Sequence, residues 1–79
     1  MPRSGEYFTL TMDVLAVEQS GGKTKVLTIP GGSVLRVANG SSSFDERMVE
    51  VIWQDKLVMI FGMDLTHRAT RLKPATIAG

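Results

Sequence analysis

The chain holds a single histidine, His67, with Asp64 three residues before it and a serine run at Ser41-Ser42-Ser43. An imidazole beside a carboxylate is the acid–base half of a triad, which also needs a nucleophile delivered to it in space. Serine-rich loops between strands are ordinary solvated connections, and nothing in the spacing ties one of these serines to His67, so no catalytic residue is assigned. The same pair is too thin for a metal, because zinc usually takes at least three protein ligands. With no cysteine in the sequence there is no thiolate to add and no disulfide to form. No metal and no cofactor are expected. Asp45-Glu46 sets two carboxylates side by side, but adjacent carboxylates on a loop usually just face water. Asp13 and Asp64 read as structural, with Asp64 placed to cap a helical turn over Met63 to Thr66.

Gly21-Gly22-Lys23-Thr24 ends like a phosphate-binding loop. That loop needs a further glycine five residues before the glycine of Gly-Lys-Thr, so that the backbone wraps the phosphates. The position is Val17 here. A helix must also follow to lend its N-terminus, whereas Lys25-Val26-Leu27-Thr28-Ile29 has the β-branched character of a strand. The glycines therefore read as a turn.

Basic side chains are the remaining chemistry. Residues 66–79 carry His67, Arg68, Arg71 and Lys73 and contain no acidic side chain. Together with Arg36, and with Tyr7 and Phe8 as stacking surfaces, Arg68, Arg71 and Lys73 define a candidate contact for single-stranded nucleic acid. A formal net charge of +1 argues against strong, charge-driven binding. Five aromatic residues (one Trp, one Tyr, three Phe) leave few for stacking once the core is served. A weak nucleic-acid-binding barrel is thus the alternative reading, and a solvated basic terminus the plain one.

The elements that must carry these residues are short. Seventy-nine residues make one domain, spanning residues 1–79, and surface scaling leaves roughly 60% of the unfolded chain's area to be buried. That is a small core for a chain without staples, and such chains often recruit a second chain for extra burial. The composition points the same way, with 43% hydrophobic residues and five methionines. No apolar run is long enough for a membrane span, the N-terminus lacks the apolar region of a signal peptide, and the cytoplasm is the default location. The Asn39-Gly40-Ser41 sequon then has meaning only as turn chemistry.

Residues 1–6 and 74–79 read as flexible ends. Phe8, Leu10, Met12, Val14 and Ala16 alternate with polar residues, the period of one half-buried strand, and Leu15 and Val17 make its end apolar on both sides. Gly21-Gly22 turns the chain into Lys25 to Ile29. Pro30-Gly31-Gly32 breaks it again before Ser33 to Ala38, where Leu35 and Val37 share a face opposite Arg36. Gln54-Asp55 separates two strongly β-forming runs and predicts a tight hairpin, although Asn-Gly is the stronger turn pair. A single 3₁₀ turn over Gly62 to Thr66 and a last strand from Ala69 to Leu72 complete the chain. The expectation is an all-β domain of five or six short antiparallel strands with one 3₁₀ turn.

A first strand, an irregular loop, a Gly-Gly turn into Val34-Leu35-Arg36-Val37, a hairpin near Trp53, a helical turn and a closing strand resemble the SH3-like barrel. That resemblance implies a fold and no particular function. Val49-x-Val51-x-Trp53, the turn, Val58-x-Ile60-Phe61 and Asp64-Leu65-x-x-Arg68 are similar to the end of short, uncharacterised bacterial proteins, which bring no known activity. The type II, trimethoprim-resistant dihydrofolate reductases are SH3-like barrels of similar length, marked by a strand reading Val-Gln-Ile-Tyr. This chain has Val58-Met59-Ile60-Phe61 in the comparable place, and without the Gln and Tyr the ligand chemistry of that family is unsupported. A peptide groove of the SH3 kind needs several surface aromatics, and only Tyr7, Trp53 and Phe61 are placed to contribute.

Pairing across Gln54-Asp55 sets Trp53 opposite Lys56, Val51 opposite Val58 and Val49 opposite Ile60. The other face of the hairpin then gathers Met48, Glu50, Ile52, Leu57, Met59 and Phe61, interrupted only by Glu50. An exposed antiparallel face normally alternates to polar residues. The barrel's own loops and bent strands, a second copy, another protein or a ligand would each cover such a face. The expected function is therefore non-enzymatic, acting by self-association or protein contact. Its candidate interface is Met48, Ile52, Leu57, Met59 and Phe61.

Overall fold

The structure, a computed structural model, describes residues 3–40 and 46–72. In chain order the elements are β1 (Tyr7–Leu10), β2 (Val14–Ser20), β3 (Lys23–Ile29), β4 (Val34–Asn39), β5 (Met48–Trp53), β6 (Lys56–Phe61), α1 (Gly62–His67) and β7 (Ala69–Leu72). The strands form one antiparallel sheet in the order β3-β2-β6-β5-β4-β1-β7. Its end strands β3 and β7 do not pair with each other, so the hydrogen-bond ladder stays open rather than closing into a barrel.

Among the described residues seven strands stand where five or six were expected, because the first one is split. The alternation of Phe8, Leu10, Val14 and Ala16 holds, and all four are buried, but Met12 in the same series is 50% exposed. Contacts made far along the chain break the strand there. The Thr11 N–H donates to the Arg68 carbonyl, and the Gly32 N–H to that of Leu10. Asp13 Oδ1 accepts the Gly31 N–H at 2.8 Å. The corner lets β1 pair with β4 and β7 while β2 pairs with β3 and β6.

Among the described residues no second layer covers the sheet's inner apolar face, so the sheet bends around itself. Residues from β1 to β6, together with Leu65 of α1, form a single buried cluster on the inner face. Ile29 of the edge strand β3 and Leu10 of β1 lie in it together, five places apart in the strand order. Leu35 and Val37 occupy the inner face as their alternation requires, with Arg36 exposed on the other.

Both tight hairpins use turns with two left-handed residues. Gly21 and Gly22 have φ of 58° and 77°, conformations that glycine adopts without steric cost. Gln54 and Asp55 hold φ of 51° and 62° with side chains in place, which strains them. Asp55→Gly is expected to raise stability by about 0.5–1 kcal/mol. Urea unfolding checks this, through a higher midpoint at unchanged slope.

Gly62–His67 is a short α-helix rather than a 3₁₀ turn, closed by the Arg68 N–H donating to the Asp64 carbonyl. Asp64 does not cap it. The N-cap position is Phe61, without a side-chain bond, and Asp64 sits inside the first turn.

Arg3 to Glu6, read from sequence as a loose lead, are tied down. The Gly5 N–H donates to the Val37 carbonyl, Val37 N–H to that of Glu6, and Ser4 Oγ to that of Ala38. A register shift between β4 and β5 falls at the same place, between Val37 and Asn39. Residues 74–79, expected to be flexible, lie outside the described residues.

Candidate functional site

The hairpin register is the one its turn implies. Met48 to Trp53 pair in order with Phe61 to Lys56, and Trp53 faces Lys56. Val49, Val51, Val58 and Ile60 point into the core, and Trp53 packs against it. The opposite face does not stay uniform. Met48 and Met59 are buried within the chain itself, Ile52 is half-buried, and Leu57 and Phe61 stand out at 52% and 41% exposure. Met59 is flanked in register by Val17 on β2 and Glu50 on β5. Of the five candidate interface residues, therefore, Leu57 and Phe61 are the two available to a partner.

Two neighbours enlarge this patch. Val17 lies between Met59 and Val26 in register, and Leu15 is two residues away on the same face. Leu15 and Val26 are 58% and 68% exposed, so the outer face of β2, β3 and β6 carries Leu15, Val26, Leu57 and Phe61 in the open. The signal for Leu15 and Val17 was in the sequence, where the end of their strand is apolar on both sides. Val26 gave no such signal, because a β-branched residue suits a buried strand as well as an exposed one.

The basic residues do not converge. Arg36 lies on the outer face of β4, beside Tyr7 of β1. Arg68 reaches Asp64 Oδ1 at 3.5 Å, and Arg71 donates to Glu6 Oε2 at 3.0 Å. Arg71 is opposite Phe8 in the β1–β7 ladder, on the other face of the sheet from Arg36. Lys73 lies outside the described residues, as do Ser41 to Ser43 and Asp45.

Glu6 accepts the Arg3 backbone N–H on one oxygen and Arg71 on the other. The backbone bond from Arg3 is the main cause, helped by the Arg71 cation, of a pKa below the usual glutamate value. A carboxyl with a lowered folded-state pKa contributes stability above its unfolded value, about 4.3, and loses it as pH falls through the folded value. Glu6→Gln is thus expected to flatten the acid limb of the stability curve below about pH 4.5. Thermal unfolding across pH 3 to 7 measures it, and an unchanged acid limb would remove Glu6 from this role.

Among the described residues no three His, Cys, Asp or Glu side chains gather as a metal site. None of the helices described is long and apolar enough to cross a membrane. His67 closes α1 on the exposed side, and its Asp64 neighbour is engaged by Arg68. No protein-family model, curated protein or solved structure matches the chain.

Proposed function

We propose that this chain is a non-enzymatic module of the SH3-like kind, a curved sheet left short of a closed barrel, that works by self-association or contact with another protein. The order of β1, the β2–β3 excursion, β4, the β5–β6 hairpin, α1 and β7 supports the SH3-like reading. The observation that carries the functional reading is the outer face of β2, β3 and β6. Four large apolar side chains stand exposed there around the buried Met59. Scattered surface hydrophobics are ordinary, whereas a contiguous group marks an interaction surface. The nucleic-acid alternative draws on Arg36 beside Tyr7. It has less behind it, since Arg68 and Arg71 are each matched by a carboxylate.

The test is the solution mass of the wild type and of a Leu15→Glu/Val26→Glu double variant, which charges the β3 side of this face. Both positions are exposed in the single chain, so the variant is expected to keep the fold and its circular dichroism spectrum. Its apparent dissociation constant is expected to rise at least tenfold. Equal masses at every concentration would contradict the assignment of this face.

A further inference from the structure

The edge strand β3 says how a second copy would dock, given the self-association reading above. Among the described residues β3 pairs with β2 alone. The Gly21-Gly22 turn makes Ser20 and Lys23 the first hydrogen-bonded pair, and such pairs alternate along an antiparallel ladder. Lys23, Lys25, Leu27 and Ile29 therefore direct their backbone groups at β2, while Thr24, Val26 and Thr28 direct theirs outward.

We infer that two copies of this chain pair antiparallel along β3, about a two-fold axis through Val26. In that register Val26 exchanges both hydrogen bonds with its own counterpart, and Thr24 does so with Thr28. Two bonds for each of three pairs give about six across the axis. Charge and chain chemistry select it over its neighbours. Sliding two residues one way sets Lys25 against its own counterpart, and like charges directly opposite are destabilising. Sliding the other way sets Thr24 against Pro30, which has no N–H to give. Through Val26, each lysine faces an apolar residue, Lys25 opposite Leu27 and Lys23 opposite Ile29, and Lys25 keeps Glu18 beside it on its own β2.

The side chains agree with the backbone. Val26 is the most exposed residue of the outer apolar patch at 68%, and Val17 lies in register beside it. The two-fold joins Val17 and Val26 of each copy into one stripe, a self-complementary contact of the kind closed dimers use. A single strand edge lies at the small end of interface sizes, below about 1,200 Å² in total. The dimer is therefore concentration-dependent.

Single-cysteine variants test this directly, because the chain has no cysteine of its own. A hydrogen-bonded pair places its Cα atoms about 5.5 Å apart, within disulfide reach. Val26→Cys is expected to oxidise to a covalent dimer at least tenfold faster than Thr24→Cys, which faces Thr28 instead of itself. A second variant, Val26→Pro, removes an N–H that points away from β2. It is expected to stay folded and lose the dimer. A wild-type dimer whose Val26→Cys form links no faster than Thr24→Cys overturns the β3 pairing and leaves self-association standing. So does a folded Val26→Pro form that stays dimeric. A wild type that remains monomeric at millimolar concentration overturns both.

Discussion

Met59→Glu is expected to cost about 3–5 kcal/mol, the range for leaving a charge buried without a partner. Met59 is only 6% exposed, and its cross-strand neighbour is Glu50, so the new carboxylate would meet a like charge. Domains of this kind have about 5–15 kcal/mol in total, with small ones at the lower end. Most of the fold's stability would therefore go, and urea unfolding would show the midpoint falling steeply. Phe61→Glu lies on the same face two residues away and is expected to change stability by about 0.5 kcal/mol or less. The contrast is the point of the pair: one outer-face residue belongs to the fold and the other to the surface. Comparable losses from both would mean that the chain itself encloses Phe61.

Gly31→Ala is the second large effect, expected at about 1–2 kcal/mol of destabilisation from overpacking. A Cβ at Gly31 would stand 3.0 Å from the Met12 Cα and 3.2 Å from its carbonyl carbon. Those are backbone atoms, and they cannot swing aside as a side chain would. The corner is held on both sides by the Gly31 bond to Asp13 and the Gly32 bond to Leu10. For a domain of this size the melting temperature is expected to fall by on the order of 5–15 °C. Gly21→Ala, where a Cβ would meet nothing within 4 Å but φ is 58°, separates a contact effect from a backbone one. Its cost comes from the left-handed conformation alone, about 1 kcal/mol.

These residues also show what the sequence made legible. The β5–β6 hairpin was readable to the residue, because a two-residue gap between period-two runs leaves one register that keeps Val49, Val51, Val58 and Ile60 inside. Leu35 and Val37 followed from the same alternation. The split between β1 and β2 was not readable. Thr9 to Asp13 alternates like any strand, and the partners that break it, Gly31 and Arg68, lie some 20 and 57 positions further along. Periodicity also separated the two faces of the hairpin without saying which outer residues the chain would cover. Met48 and Met59 are enclosed while Leu57 and Phe61 are not, a difference set by how the sheet bends. The position of β3 at the edge of the sheet, among the described residues, belongs to the same class, since it depends on which strand ends the sheet.

The central claim is that the open apolar face and edge of this chain meet a second protein surface, its own copy first. Sedimentation equilibrium of the wild type from micromolar to millimolar concentration tests it most directly. The expected result is a weight-average mass that rises with concentration from 8.6 kDa toward twice that value. A single species of 8.6 kDa across the whole range would contradict self-association.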